Sequence, residues 1–316
     1  MNAAKRLIKK LPGVRRIVGE RNRLREEVET LLGQQEFPPG HYYSSIPDPG
    51  EVKGISHRTG NRDVAAIPGI DLDWEGQEST LRELATYYND LPFGETEADR
   101  GIHRYYFANG YYSYADGILF FTLLRHLQPK RLIEVGSGFS SCLTLDVNEL
   151  FLDGSLQCTF IEPYPERLKQ NLRPEDSKHV QIIEDKVQNI DPMIFGQLEK
   201  NDILFIDSSH VGKAGGDVNF LFFEILPKLK PGVWIHIHDV FYPFEYPETW
   251  ILSGRSWNEA YMVRCLLMNS NAFQIRLWGD ALAAQRTDLL ASLMPRCMKN
   301  TGASLWIEKT DSCPDC

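Results

Sequence analysis

The sequence predicts an α/β fold, in which a doubly wound and mostly parallel sheet is covered by helices and includes an antiparallel late strand. Three observations predict it. Short apolar runs alternate with helical segments after about residue 101, two glycines follow the first of these runs, and two further apolar runs lie late in the chain. Strands that alternate with helices are typical of βαβ units, whose strands pair in parallel.

The elements of this fold follow one another in a regular order. A helix leads into the first strand, and a helix or a loop separates each later strand from the next. The two late strands have the type and order that would finish the sheet as a hairpin-like edge. The predicted strands cover 131–136, 157–163, 180–185, 202–207, 232–239, 273–279 and 303–309, and the predicted helices cover 114–127, 140–151, 166–172, 217–229 and 258–269.

Two segments precede this domain, which is predicted to cover 101–316. Residues 1–36 are predicted to form a basic amphipathic arm with a short coiled-coil seam, because residues 1–25 hold nine Lys or Arg against one acid. The apolar residues of the seam are Ile17, Leu24, Val28 and Leu31. The alternatives for the arm are contact with an anionic membrane, self-association or contact with a partner helix, and a solvated leader helix. Residues 37–100, with one helix at 78–91, are predicted to be a linker and lid region.

The composition of the 316 residues is that of a soluble globular protein, with 42% hydrophobic and 24% charged residues. A net charge of −9 argues against nucleic acid as a partner, because phosphate binding needs a basic surface. No apolar stretch has the length of a membrane span or of a signal peptide core. A cytoplasmic location is therefore predicted, with peripheral contact at the inner face of the membrane as the alternative. The pair Cys313–Cys316 is interpreted as part of a solvated tail.

The first predicted strand ends in EVGSGFSS, whose glycines would let the backbone turn tightly beside a ligand. The candidate cofactor-binding residues of this loop are Glu134, Gly136, Ser137 and Gly138. Glu162 ends the next strand, where a carboxylate can accept hydrogen bonds from both hydroxyls of a ribose. NAD and S-adenosylmethionine sites share these features. Ser141 stands where a dinucleotide-binding fingerprint has its third glycine, which weakens the NAD alternative.

Four stretches of the chain match motifs of a known family. They are LIEVGSGFSS, FIEPYPERL, DILFIDSSHVGKAGGDVN and LKPGVWIHIHD. On them the chain resembles class I S-adenosylmethionine-dependent methyltransferases, and among these the bacterial group associated with surface-glycan biosynthesis, over roughly 101–309. The resemblance implies a Rossmann-like fold, with S-adenosylmethionine as the cofactor. It implies that Gly136 and Gly138 lie by the methionine part of the cofactor. Glu162 would hold the ribose, and Asp185 would lie by the adenine amine.

Two neighbouring predicted strands end in acids and histidines. Asp207 ends the fourth strand, with His210 three residues later, and the pair His238 and Asp239 ends the fifth. Because ligands bind at the carboxyl ends of parallel strands, these four side chains are predicted to meet in the active site. His236 points to the same side by strand alternation but lies deeper, and it is interpreted as a hydrogen-bonded core histidine.

This layout resembles the metal-dependent catechol-type O-methyltransferases. The resemblance implies a divalent metal bound by Asp207, His238 and Asp239. It puts His210 in the place of the catalytic base, so that His210 and Asp239 are the predicted catalytic residues. The metal would be magnesium or, because His238 replaces a carboxylate and Asp239 an amide, the softer manganese or zinc. The alternative is a hydrogen-bonded His–Asp cluster that orients His210 without a metal.

Other polar and aromatic residues are candidates for the rim of the site. An aromatic stretch over 104–116 precedes the first strand and forms either a lid or part of the core. Its candidates are Tyr112, Tyr114 and Asp116, and weaker candidates elsewhere on the rim are Asp217, Asn219 and Glu259.

The predicted function is that of an S-adenosylmethionine-dependent O-methyltransferase. Its acceptor would be a small molecule or glycan precursor, with a sugar hydroxyl as the methylated group. One alternative is an NAD-dependent sugar reductase or epimerase, which would require a Tyr-x-x-x-Lys pair that the sequence lacks near the cofactor motif. The other is a non-enzymatic scaffold that retains the fold and is anchored by the basic arm.

Overall fold

A computed structural model of the protein describes residues 12–33, 36–55 and 61–310. The chain divides into two compact units, with the division between Lys53 and Gly54. The basic residues among the first eleven positions and the terminal cysteine pair, both subjects of predictions, lie outside the described residues. Within the described ranges, no helix is long and apolar enough to cross a membrane.

The described part of the first unit contains helix α1 (Pro12–Gly33) and the short helix α2 (Pro49–Val52). Three residues of the predicted seam, Ile17, Leu24 and Val28, are exposed on α1. Their spacings of seven and four residues place them on one face of the helix. A helix is therefore present where the seam was predicted, and what covers its apolar face remains a prediction.

The second unit is built on a seven-stranded sheet with the order β3-β2-β1-β4-β5-β7-β6. The strands β1 to β5 pair in parallel, whereas β7 lies antiparallel between β5 and β6. The predicted α/β class, with a mostly parallel sheet and an antiparallel late strand, is confirmed. The strands are β1 (Arg131–Val135), β2 (Gln157–Ile161), β3 (Val180–Ile183), β4 (Ile203–Ile206), β5 (Trp234–Ile237), β6 (Phe273–Trp278) and β7 (Leu305–Lys309).

The side of the sheet on which successive strands are added changes at β1. From β1 the chain adds β2 and β3 on one side, then crosses to β4 and β5 on the other. Val135 of β1 is in register with Ile206 of β4, which is in turn in register with Ile237 of β5. The loops that follow these three strands therefore start side by side, at the switch point where such sheets bind ligands.

Helices pack on the sheet because their apolar surfaces are large. In α4, residues 115–124 are all buried, as expected of a helix whose apolar residues lie on most of its surface. The helices of the second unit are α3 (Trp74–Ala85), α4 (Tyr114–Leu127), α5 (Phe139–Phe151), α6 (Glu166–Asn171), α7 (Asp217–Phe220), α8 (Glu248–Leu252), α9 (Glu259–Leu267), α10 (Gly279–Gln285) and α11 (Thr287–Leu293).

The segment before residue 101 is packed more closely than a linker would be. Helix α3 lies against β6 and α4, and the buried Gln77 side chain accepts a hydrogen bond of 2.8 Å from the Trp278 backbone. The predicted boundary between residues 100 and 101 therefore falls inside the compact unit that begins at Gly54. The helix predicted at 78–91 is observed at Trp74–Ala85, and its Leu81 and Leu84 reach the core because their spacing places them on one face.

Candidate active site

The two glycines of the loop after β1 differ in whether a side chain would fit at their position. Gly136 has a φ of +84°, and a Cβ built on it would lie 1.8 Å from the backbone oxygen of Asp207. A side chain is therefore excluded at Gly136, and the loops after β1 and β4 are in direct contact. A Cβ on Gly138 would have the Arg167 side chain as its nearest neighbour, at 3.8 Å. Gly138 is buried, but a Cβ there would make only an ordinary van der Waals contact, so the position has room for a side chain.

The Glu162 side chain connects the loop after β1 to the loop after β2 by hydrogen bonds. Its carboxylate accepts hydrogen bonds from the backbone of Ser137, at 3.1 Å, and from the backbone of Tyr164, at 2.8 Å. Two backbone donors hold the carboxylate beside the glycines, at the edge where the ribose contact was predicted. The Ser137 hydroxyl is buried and has no hydrogen-bond partner in the described structure.

Asp185 lies in the next loop along the same edge. β3 ends at Ile183, so that Asp185 stands two residues beyond the strand and is exposed. One of its oxygens accepts hydrogen bonds from the Lys186 backbone and from the Asn189 side chain. The Asn189 hydrogen bond, with that of the Lys186 backbone, holds the pKa of Asp185 below its usual value. The predicted adenine contact remains a prediction.

Glu134 is fully buried, whereas Glu162 is partly buried and Asp185 is exposed. One carboxylate oxygen accepts a hydrogen bond from the Ser140 hydroxyl on α5, and the other has no partner in the described structure. Burial raises the pKa of Glu134 to about 8, against the opposing effect of the Ser140 hydrogen bond. At neutral pH this carboxyl is therefore largely protonated, which is unusual for a glutamate.

His210 lies among three carboxylates. Its Nδ1 is 2.9 Å from an oxygen of Glu259, and its Nε2 is 3.3 Å from Asp207 and 3.8 Å from Asp239. The backbone oxygen of His210 accepts hydrogen bonds from the backbones of Asn258 and Glu259. These contacts fix both the loop and the ring.

The charge state of His210 follows from these neighbours. Burial would lower its pKa, but the hydrogen bonds to Asp207 and Glu259 outweigh burial and raise the pKa to about 10. His210 is consequently an imidazolium at neutral pH. A histidine in this state donates protons and does not accept them, which bears directly on the predicted role as a base.

His238 and Asp239 follow β5, which ends at Ile237. The His238 Nε2 is 3.6 Å from Asp239, and its Nδ1 is buried and has no partner in the described structure. Asp239 has a φ of +56°, a left-handed conformation that turns the chain sharply away from the sheet. The structure thus brings the four predicted residues of this cluster together.

The described structure does not arrange these residues as a metal site. Among the described residues, no group of three or more His, Cys, Asp or Glu side chains could hold a metal ion. Two of the predicted ligands, Asp207 and Asp239, lie within 4.0 Å of the His210 Nε2, whereas His238 is the third predicted ligand. The charged His210 supplies these two carboxylates with the positive charge that a cation would otherwise supply.

His236 lies in the core, as predicted, but without the predicted hydrogen bond. It is 0% exposed, and neither ring nitrogen has a partner in the described structure. Its ring packs 3.9 Å from that of Phe205 and 4.5 Å from that of Trp306, measured between centroids. Burial, with the nearby His238, holds the pKa of His236 well below 6.5, so that the ring is neutral.

A cavity of about 570 Å³ adjoins His238 and Asp239. Four aromatic side chains form part of its wall: Tyr111, Phe241, Trp250 and Trp257. A volume of this size is typical of sites that enclose a small molecule. Because the cavity borders the cluster at the ends of β4 and β5, it is the candidate acceptor site.

The residues proposed for a lid have structural contacts. Tyr112 is buried against His238, and the Tyr114 hydroxyl donates a hydrogen bond to Glu95. Asp116 lines the cavity, but one of its oxygens accepts hydrogen bonds from the Ala303 backbone and the Ser304 hydroxyl. Of the alternatives for this stretch, packing accounts for Tyr112. The exposed Tyr111, which was not singled out, reaches the cavity.

Two of the three weaker rim candidates have defined partners in the structure. Glu259 pairs directly with His210, and Asp217 accepts hydrogen bonds from the hydroxyl and backbone of Ser209. Trp250 and Trp257 were not identified from the sequence. The only signal available was the concentration of aromatic residues in the irregular stretch 241–257.

The fold and this site define a class of protein. Residues 133–240 match the model of a family described as a methyltransferase domain, and they include the glycine loop and the cluster at the ends of β4 and β5. The protein is thus a methyltransferase. More particularly, the chain belongs to the same family as a protein of Archaeoglobus fulgidus described as uncharacterized. The two are 34% identical over 184 residues, which cover 56% of this chain and 80% of the relative.

Two solved structures with partial similarity are described as methyltransferases. The SAH-bound Podospora anserina methyltransferase PaMTH1 is 15% identical, with a TM-score of 0.40, over 82% of this chain and 97% of that one. The Streptomyces achromogenes O-methyltransferase TomG, involved in tomaymycin synthesis and solved with SAM, is 15% identical, with a TM-score of 0.39, over 76% and 91%. At these values the similarities support no conclusion about the substrate of this chain.

Proposed function

We propose that the protein is an S-adenosylmethionine-dependent O-methyltransferase whose acceptor binds in the cavity beside Asp239. The observation that carries the proposal is the placement of two features at one edge of the sheet. The glycine loop and Glu162 follow β1 and β2, and the charged cluster with its cavity follows β4 and β5. A methyl donor and a hydroxyl acceptor bound at these places would lie next to each other.

The chain's own residues fit this cofactor. The space over Gly138 would be filled by a Cβ, and Glu162 is held by two backbone donors where it can accept hydrogen bonds from ribose hydroxyls. S-adenosylmethionine, when bound, supplies a methyl group on a sulfonium sulfur. The contribution of the chain is to hold the two reactants in line, which is worth roughly 7–11 kcal/mol of the barrier.

The hydroxyl proton of the acceptor needs a receiving group. The sequence assigned this role to His210, but an imidazolium with a pKa of about 10 already carries its proton at neutral pH. We propose that the Asp239 carboxylate accepts this proton, because Asp239 lines the cavity and its side chain is 15% exposed. His210 then remains cationic and holds the carboxylates of Asp207 and Asp239 in position.

The predicted sugar or glycan precursor remains our proposal for the acceptor. It is supported by the walls of the cavity, where Trp250, Trp257 and Phe241 offer flat apolar surfaces beside a few polar groups. Such walls suit a ring with apolar faces and several hydroxyls. The same walls suit a catechol ring, and the test below includes both.

The test is methyl transfer from labelled S-adenosylmethionine to pools of sugars, sugar acids and catechols, analysed by mass spectrometry. We expect Asp239→Asn to lower kcat on the accepted compound by on the order of 10²-fold, because a positioned base typically contributes that much or more. Binding of S-adenosylhomocysteine should be unchanged.

Glu224→Gln is the matched control, since Glu224 is a surface acid paired with Lys228. Chelation by EDTA is expected to leave the rate unchanged. A rate abolished by EDTA and restored by one divalent ion would instead establish the predicted metal site. Near-normal turnover of Asp239→Asn would show that this carboxylate does not receive the proton.

A further inference from the structure

The charged side chains that line the cavity differ in how far they are already paired. Arg62 makes two contacts with Asp280, of 2.6 and 2.7 Å, and Asp280 also accepts a hydrogen bond from the Tyr242 backbone. Asp116 accepts hydrogen bonds from residues 303 and 304, and Asp239 lies beside two histidines. Each of these carboxylates has neighbours within the fold.

Arg255 is the exception. Among the described residues, no carboxylate lies within 4.0 Å of its guanidinium, although Arg255 lines the cavity. Its guanidinium carbon lies 4.1 Å from the ring centroid of Trp250 and 5.3 Å from that of Trp257. Stacking on an indole holds the plane of the guanidinium and leaves its N–H groups at the edge available.

We propose that the acceptor carries an anionic group, a phosphate or a carboxylate, which binds to Arg255. This inference rests on the proposed function and deepens it. The planar guanidinium offers parallel N–H donors that match the oxygens of either anion in a two-point contact. The ring of the acceptor then lies along the aromatic wall, and its reacting hydroxyl lies towards Asp239. Arg255 is thus a specificity-determining residue, since it selects acceptors by a group that takes no part in methyl transfer.

The experiment compares three compounds with closely related rings: glucose, glucose 6-phosphate and glucuronate. Binding is followed by the fluorescence of the chain's tryptophans, two of which contact Arg255, and methyl transfer is measured in parallel with labelled S-adenosylmethionine. We expect one anionic sugar to bind at least about tenfold more tightly than glucose, since a charge-assisted hydrogen bond is stronger than a neutral one. Which of the two binds better decides between phosphate and carboxylate.

Arg255→Gln should remove this preference, and Arg255→Lys should keep part of it, because lysine retains the charge without the planar fork. Arg82→Gln is the control for a general loss of positive charge, since Arg82 is exposed on α3 and does not line the cavity. Near-ultraviolet circular dichroism shows whether the tryptophan contacts persist in each variant.

The outcomes separate this inference from the proposed function. If S-adenosylhomocysteine raises the melting temperature of the wild type and of Arg255→Gln equally, the cofactor site is intact in both. With that result, equal binding of glucose and its anionic counterparts by the wild type would overturn the anionic acceptor. An anionic preference that survives in Arg255→Gln would overturn the role of Arg255. Failure of S-adenosylhomocysteine to bind the wild type would instead contradict the proposed function.

Discussion

At the scale of single residues, the least expected group is Glu134, a carboxyl buried behind the cofactor loop. Its pKa of about 8 lies well above its usual value near 4.5 because of burial. Between these two values the folded state binds a proton that the unfolded state has lost. The contribution of the protonated Glu134 to the free energy of unfolding is therefore fully present below about pH 4.5, and it is lost as the pH rises to about 8.

Glu134→Gln should remove this dependence, because the amide keeps the shape of the side chain without a titrating proton. Relative to the wild type, the variant should gain on the order of 1.4 kcal/mol of unfolding free energy per pH unit between about pH 5 and about pH 8. Urea unfolding of both proteins across this range measures the difference. If the two proteins show parallel profiles, Glu134 is not the protonated group that we infer.

His236 gives a second prediction at this scale. Both ring nitrogens are buried and unpaired in the described structure, and an unsatisfied buried polar group costs about 1–3 kcal/mol. We expect His236→Leu, of similar volume, to raise the free energy of unfolding by about that amount at neutral pH. Activity should be retained, because the side chain does not line the cavity. A destabilised variant would indicate that a hydrogen-bond partner, such as a bound water, satisfies the ring.

At the scale of elements, two glycines of the loop between β1 and α5 are expected to differ in function. Gly136 is needed for stability, and Gly138 is needed for binding of the cofactor. Gly136→Ala should destabilise the protein by on the order of 2 kcal/mol or more, because the new Cβ meets a backbone oxygen at a positive φ. A Cβ on Gly138 would have only the Arg167 side chain as a neighbour, at 3.8 Å, so no clash opposes a side chain there. Gly138→Val should therefore melt near the wild-type temperature but fail to bind S-adenosylhomocysteine.

Thermal unfolding with and without S-adenosylhomocysteine tests both variants, since a ligand of the folded state raises its melting temperature. Persistence of the full shift in Gly138→Val would place the cofactor elsewhere. A wild-type melting temperature for Gly136→Ala would contradict the close contact between the loops after β1 and β4.

Elements also differ in how far they could be predicted. The strands were found because their apolar runs are self-evident and because parallel pairing places all their carboxyl ends at one edge. Much of the aromatic wall of the cavity, including Trp250 and Trp257, comes from residues 241–257, before α9. This stretch has no periodicity that would predict its path, so Trp250 and Arg255 could not be placed. Glu259 lies at the start of the predicted helix 258–269, but the sequence does not show which side chains that end of the helix faces, so Glu259 was only a rim candidate. The charge of His210 was missed for the same reason.

At the scale of the whole molecule, the arm is tested in the full chain. Residues 1–25 hold nine Lys or Arg against one acid, and helix α1 within the arm exposes apolar residues, a combination suited to anionic membrane surfaces. We expect the protein to sediment with phosphatidylserine vesicles, and less so at high salt. Replacing both Leu24 and Val28 by serine should reduce sedimentation without affecting methyl transfer. Equal sedimentation of both proteins would exclude membrane contact through this face.

The same variant distinguishes the other alternative for the arm. If α1 pairs with a second copy, sedimentation velocity should give a dimer for the wild type and a monomer for the variant, in the absence of vesicles. Val28 and Leu24 stand at adjacent seam positions of the heptad, so their loss should abolish pairing.

The position of β7 in the sheet has a consequence for synthesis. β7 is the last of the seven strands in sequence, yet it lies between β5 and β6. While the ribosome extends the chain, the edges of β5 and β6 emerge without the strand that will join them. Unpaired edges recruit other strands, including those of neighbouring nascent chains. The incomplete sheet can therefore pair wrongly until residues 305–309 have been synthesised. Any delay in their synthesis prolongs this exposure of the β5 and β6 edges.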